Sequence, residues 1–198
     1  MGENATLEPQ MATNSAVLLP QSTRPHAVSA NARYRAAFGL LIAAGLPLGL
    51  FGLVNLAAEA VGLIPLFFAP FGLPGWLGAV AHLAMLQLLG AAGWIATRKG
   101  DISLHLWLGA LMAGVIAVPF ITAPLDSLQM SIVSVVLFLL ALATIQRVGK
   151  ASRTAGWLLV PVLGWLGLSA ALGMVLAAAW TPPFALTQGM DNAPPAAG

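Results

Sequence analysis

Five long apolar runs leave this chain very few possible folds. They cover residues 36–63, 75–97, 102–123, 128–146 and 155–180. Each is close to the ~20 residues a helix needs to cross about 30 Å of hydrocarbon. Inside lipid, every backbone N–H and C=O must find its partner within the protein, so only helices and closed barrels can span. A barrel is written as short segments of alternating polarity, and no such alternation occurs here. The expected fold is an all-α integral membrane protein, a bundle of five transmembrane helices. Composition agrees, since 59% of the 198 residues are hydrophobic and only 7% are charged. A soluble domain carries about 25% charged residues, so this chain lacks the side chains to clothe a water-facing surface.

The breaks between runs carry turn chemistry. Arg98-Lys99-Gly100-Asp101 parts the second and third runs, Pro124-Leu125-Asp126-Ser127 the third and fourth, and residues 149–154 the fourth and fifth. Asp126 followed by Gln129 fits a helix-starting capping box. Connections this short make consecutive helices antiparallel. The longest connection joins the first two runs and holds Pro65, Pro70 and Pro74. No internal repeat is evident. Residues 1–35 are polar, rich in Ala, Ser, Thr and Pro, and lack the early apolar core of a signal peptide. They read as a disordered tail, as do residues 181–198. Met1-Gly2 with Thr6 fits an acylation pattern and Asn4-Ala5-Thr6 a glycosylation pattern, both short and common.

Charge gives a direction. The eight basic residues are Arg24, Arg33 and Arg35 before the first helix, Arg98 and Lys99 after the second, and Arg147, Lys150 and Arg153 after the fourth. All fall on one side of a five-pass bundle. Basic loops stay in the cytoplasm, so the expectation is a multi-pass protein of a bacterial inner membrane with its N-terminus inside and C-terminus outside. The basic pI of about 9.7 then reports orientation, not nucleic-acid binding.

Several chemistries are excluded. There is no cysteine, hence no disulfide or thiolate site. His26, His82 and His105 have no ligand spacing, so no protein metal site is expected. No phosphate loop, nucleophile elbow or pair of intramembrane carboxylates is present. The interesting polar residue is His82, inside the run PGWLGAVAHLAMLQLLGAAGW, because an intramembrane histidine marks a functional site by default. On the fifth helix Trp157, Pro161, Trp165, Ser169 and Leu172 recur at helical spacing and share a face. Trp157 and Trp180 suit a membrane-interface belt, whereas Trp165 is too deep for that and its N–H needs a partner. Asn55 and Glu59 suit the interface, Gln87 a helix contact, and Gly75, Gly78, Gly90 and Gly93 close helix packing or a homodimer face.

Two stretches resemble the TspO/MBR family, the tryptophan-rich sensory proteins of bacteria and translocator proteins of mitochondria. Pro74-Gly75-Trp76 and Gly90 keep the spacing of the family's second helix. In GWLLVPVLGWLGLSAALG, the residues Gly156, Trp157, Leu158, Leu159, Pro161, Trp165 and Leu172 fit its fifth. LFLLALATIQRV is similar to the fourth, and the likeness extends over residues 36–180. There are departures. His82 stands where the family has a pocket tryptophan and Leu86 where it has an aromatic. Val162 replaces a tyrosine, Leu168 and Ser169 replace Phe and Ala, and Gly173 replaces an asparagine. Phe71-Gly72-Leu73-Pro74 replaces W-x-P-P, and Leu111 and Gly114 fall near the family's Asn and Trp of helix three.

The resemblance implies a five-helix protein that binds tetrapyrroles such as protoporphyrin and haem, or other hydrophobic ligands, in a pocket beneath its first loop. It implies sensing, regulation or transport, and in some members light-dependent porphyrin breakdown; no enzyme activity is otherwise expected, and no cofactor is required. A transporter of lipid or other small hydrophobic compounds and a structural subunit without ligand are the alternatives. His82 lies roughly 10 Å below the outer end of helix two, and Trp165 roughly 15 Å above the inner end of helix five, at ~1.5 Å per residue. If those helices face each other as in the family, His82, Trp165 and Ser169 line one cavity, with Phe71 on the covering loop. Positions matching the family pocket add Leu86, Val162, Leu168 and Pro74. Three roles suit His82: bonding a neighbouring helix, contacting a ligand, and ligating haem iron.

Overall fold

A computed structural model describes residues 27–97, 102–122 and 124–180 of the chain. It holds five helices: α1 (Ala27–Ala60), α2 (Gly75–Thr97), α3 (Ile102–Ile121), α4 (Ser127–Ala151) and α5 (Arg153–Trp180). All five are long and apolar enough to cross a membrane, and no strand occurs among the described residues.

The ends differ from expectation in instructive ways. α1 begins at Ala27, not at residue 36, because Ala27-Val28-Ser29-Ala30-Asn31-Ala32 is alanine-rich and alanine has the best helix propensity. Polarity argues against burial in lipid, not against helix. The rest of the expected N-terminal tail, the two modification patterns and the C-terminal tail lie outside the described residues. α1 stops at Ala60 because Gly62 adopts φ +77°. Gly62 N–H bonds Glu59 C=O at 3.0 Å and Leu63 N–H bonds Ala58 C=O at 2.9 Å, a Schellman ending.

The expected loop 149–154 shrinks to Ser152. Its N–H closes α4 on Val148 C=O at 2.7 Å, while its Oγ accepts from Ala155 N–H at 3.4 Å and so caps α5. The reversal is tight because two glycines meet there: a Cβ on Gly156 would lie 3.0 Å from Gly149 Cα. At the other end of α4 the expected capping box is present. Asp126 Oδ1 accepts from Gln129 N–H at 2.8 Å and Gln129 Oε1 accepts from Asp126 N–H at 3.3 Å.

The helices pack in the ring order α1–α2–α5–α4–α3, with α2 also crossing to α3 and only slight contact between α1 and α3. Fully buried Leu86, Leu89, Leu111, Leu159 and Val162 form the centre. α1 and α2 approach closely because Gly90 has no side chain: a Cβ there would overlap the Ala43 carbonyl oxygen and lie 3.0 Å from Pro47 Cγ. One turn nearer the basic end, Gly39 gives the Trp94 ring room to lie on α1. Gly75 and Gly93, by contrast, have no atom within 4 Å of a Cβ position, so close packing explains Gly78 and Gly90 but not these two. At that same end the Arg147 guanidinium stacks 3.9 Å over the Trp107 ring, an aromatic–cation contact of the kind found at membrane interfaces.

Candidate functional site

The connection between α1 and α2 folds back onto the bundle. Leu66 N–H bonds Pro119 C=O at 2.7 Å, using a carbonyl of α3's last turn that the helix leaves free. This tie carries Phe67 and Phe68 down between α2, α3 and α5. A close approach at α2 makes room for them, since a Cβ on Gly78 would lie 2.5 Å from Phe68 O and 3.2 Å from Phe67 Cβ. Further along, Pro70–Gly72 forms one 3-10 turn in which Phe71 takes the left-handed conformation (φ 59°, ψ 29°), an uncommon state for a bulky residue. That turn reverses the chain into α2 and throws the Phe71 ring outward.

Beneath Phe67 and Phe68 lie two small cavities of about 40 Å³ each. The first is lined by His82, Met85, Trp165, Leu166 and Ser169, with Val115, Pro119 and Leu137 behind them. The second is lined by Thr122, Met130, Ser134 and Ser169. Leu66, Phe67, Phe68, Val118 and Ser169 border both, so the folded-back segment partitions a single chamber.

His82 is 7% exposed. Its ring packs in a triangular cluster with Phe51 of α1, at 5.3 Å between centroids, and Phe67 of the loop, at 5.4 Å. Phe51 in turn contacts Phe67 at 6.2 Å and Phe120 at 5.7 Å. The imidazole is thus walled by aromatic rings, and its Nε2 is buried with no hydrogen-bond partner. Leaving a buried polar atom unpaired costs roughly 1–3 kcal/mol. Trp165 meets Phe68 edge-on at 5.7 Å and 77°, a favourable aromatic geometry. Ser169 Oγ pairs with Ser134 Oγ across α4 and α5 at 3.3 Å, and Ser131 Oγ is buried without a partner close by on α4. Chemically, the chamber offers apolar walls with His82 among its lining residues, and a hydroxyl pair. No group of His, Asp or Glu able to hold a metal ion exists among the described residues.

The structure brings His82, Trp165 and Ser169 to one cavity and places the other expected residues away from it. Phe71 is 79% exposed because of the left-handed turn, and Phe67 and Phe68 are the covering aromatics instead. Leu86 and Val162 are fully buried in the solid core and do not line the cavity; Leu86 directly follows the cavity-lining Met85 and is turned about 100° from it round α2. Leu168 is half-buried on a flank of α5, and Pro74 is exposed at the start of α2. Sequence reasoning missed Phe67, Phe68 and Met85. The adjacent aromatic pair between Pro65 and Pro70 and the methionine one turn after His82 were available as signals. Among the polar residues of lesser note, Gln87 and Glu59 are exposed and Asn55 is half-buried. Trp157 is 65% exposed, on the face turned to lipid.

No curated protein matches the sequence. The model of the TspO/MBR family matches residues 40–180, a span that takes in the loop, the chamber, most of α1 and all of α2 to α5, and this chain belongs to the TspO/MBR family.

Proposed function

We propose that this protein binds a tetrapyrrole, or a comparably flat hydrophobic ligand, in the chamber beneath Leu66–Phe68, and that binding serves sensing, regulation or movement of that ligand. The observation that carries the reading is the partitioned chamber itself: an apolar, aromatic-walled space inside the membrane with one unpaired imidazole nitrogen. Burial of the ligand's apolar faces against Trp165, Met85 and Leu166 supplies affinity, and His82 and Ser169 supply orientation, as expected of small-molecule sites. Each cavity of about 40 Å³ has room for a water molecule but not for a macrocycle, for ligand sites run to about 300–1,000 Å³. Entry accordingly requires Phe67 and Phe68 to lift, which joins the two cavities into one. The segment is suited to lifting because it has no helix or strand of its own between Gly62 and Pro70.

In this reading the protein lies in a bacterial inner membrane with the basic ends of its helices inside, which puts the chamber in the outer half of the bundle. The test is a titration of the detergent-purified protein with metal-free protoporphyrin, read by absorbance and tryptophan quenching. Wild type saturates, and Phe68→Ala, which opens the cover, shifts the association rate. Absence of saturable binding in both proteins would sink the proposal.

A second reading is favoured by one observation. A groove of about 420 Å³ runs along the outside of the bundle, lined by Ala43, Leu46 and Pro47 of α1, Gly90, Gly93 and Trp94 of α2, and His105, Leu108 and Met112 of α3. Its size suits a ligand and it opens to the bilayer, which fits a transporter that takes lipid or another hydrophobic compound from the membrane. That reading predicts flux across vesicles that Gly93→Leu abolishes.

A further inference from the structure

The groove between α1, α2 and α3 is polar at one end only. Its polar side chains are Trp94, three residues before the end of α2, and His105, three residues after the start of α3. Both mark the basic end of the bundle. The rest of the lining is aliphatic side chains, Met112 and glycine. From His105 to Met112 the groove follows α3 for roughly 10 Å at ~1.5 Å per residue. That is most of one leaflet's half of the ~30 Å hydrocarbon core. A cleft that is polar at the membrane surface and apolar toward the bilayer centre has the polarity of an amphiphile, head outward and chain inward.

Charge at the polar end has one sign on the helices. Gly39 seats the Trp94 ring on α1. Arg35 lies one turn beyond Gly39, roughly 6 Å nearer the basic end, and is exposed, as is Arg33. The one acidic residue in the sequence of α1, α2 and α3 is Glu59, at the opposite end of α1; between α2 and α3 the sequence sets Arg98 and Lys99 against Asp101. Basic pockets between membrane helices bind anionic head groups, and each nearby Lys or Arg adds to the attraction. Space for a chain is present as well. α1 and α3 barely touch, and a Cβ on Gly93 meets no atom within 4 Å. A second copy in the same membrane would bring its own Arg33 and Arg35 to the same level. Like charge would face like charge, which disfavours a second copy as the occupant.

We infer that this groove is a binding site for an anionic phospholipid of the leaflet that meets the basic ends of the helices. One acyl chain lies along Leu108 and Met112, and the phosphate sits at the polar end beside Arg35. The Trp94 indole and the His105 imidazole each carry an N–H that can donate to phosphate or ester oxygens. The groove's volume of about 420 Å³ is within the range of small-molecule sites. The inference rests on the groove of the transport reading, not on the chamber, and it requires binding where that reading requires flux.

The experiment places the full-length protein in phosphatidylcholine vesicles that contain stepped fractions of phosphatidylglycerol or phosphatidylcholine brominated on the acyl chain. Bromine quenches a tryptophan it touches. Two proteins are compared, one keeping only Trp94 and one keeping only Trp157, with the other five tryptophans changed to phenylalanine. Trp157 is exposed to lipid one turn from Arg153, so it reports the general enrichment of anionic lipid near basic charge. The expected result is that brominated phosphatidylglycerol quenches Trp94 saturably, at lower fractions than it quenches Trp157, while brominated phosphatidylcholine quenches the two alike. In the Trp94 protein, Gly93→Leu fills the groove and removes the saturable phase. Arg35→Gln raises the half-saturating fraction about fivefold. Circular dichroism checks that both variants are folded, and the comparison of the two lipids needs neither variant. Equal quenching of Trp94 by the two lipids would overturn the selectivity for anionic head groups. Saturation that survives Gly93→Leu would put the lipid outside the groove, and absence of quenching would give the groove another occupant, a second copy included; either overturns the site. Lipid flux is measured on the same vesicles: selective binding without flux supports the site and removes the transport reading.

Discussion

Gly90→Ala isolates the contact on which the α1–α2 half of the bundle depends. The added Cβ overlaps the Ala43 carbonyl oxygen and falls 3.0 Å from Pro47 Cγ. Both are poor candidates for yielding. A carbonyl inside a helix is fixed by its own ladder, and Pro47 is fully buried within α1. α1 must therefore shift as a body away from α2, which costs about 1–3 kcal/mol by analogy with overpacked cores. Against this stands the ~1 kcal/mol by which alanine exceeds glycine in helix propensity. Gly93→Ala provides the matched control, since it lies one turn along the same helix and its Cβ meets no atom within 4 Å. It keeps the propensity gain without the collision. Thermal unfolding in detergent, followed by circular dichroism, should rank Gly93→Ala at or above wild type and Gly90→Ala below it, with a gap of roughly 2 kcal/mol between the two. Equal stability of the two variants would refute the claim that Gly90 sets the α1–α2 distance.

Three further outcomes are expected. Asp126→Ala removes the bond from Gln129 N–H to the Asp126 carboxylate and leaves the backbone N–H of residue 126 to Gln129 Oε1; it should cost about 0.5–2 kcal/mol, with faster amide exchange confined to the first turn of α4. Ser134→Ala and Ser169→Ala, combined in a double-mutant cycle, should show a coupling of about 0.6 kcal/mol, the usual value for an interhelical hydrogen bond in a membrane; zero coupling would remove that pair from the account. Because the chain has no cysteine, Ile64→Cys, at an exposed position of the α1–α2 connection, reports orientation directly: an impermeant maleimide should label it from outside intact spheroplasts, and labelling only after lysis would invert the topology.

Much of this was legible in the sequence because a few physical rules dominate inside lipid. Hydrophobic run length located the membrane-crossing part of each helix, and the Asp126–Gln129 spacing located the start of α4. Counting residues inward from the two membrane faces gave His82, Trp165 and Ser169 similar depths, since helix rise is fixed; that helices two and five face each other came from the family resemblance. The loop was not legible. Whether Phe67, Phe68 or Phe71 covers the chamber depends on a left-handed backbone at Phe71 and a hydrogen bond from Leu66 to Pro119, and neither follows from periodicity. Leu86 and Val162 lie in the core and not on the cavity: the chamber follows one narrow stripe of each helix, and Met85, one residue before Leu86, is on it. α1 ran past its hydrophobic part because hydropathy reports where the membrane is, not where the helix ends.

The central claim is that a tetrapyrrole enters the chamber beneath Leu66–Phe68. The chain has six tryptophans, so two single-tryptophan proteins can be made with the other five changed to phenylalanine, one keeping Trp165 and one keeping the lipid-facing Trp157. Titration with metal-free protoporphyrin should quench Trp165 saturably at one ligand per chain, with Trp157 quenched only weakly. Equal, unsaturable quenching of both would mean that the porphyrin partitions into the detergent or lipid around the bundle and that the chamber is not its site.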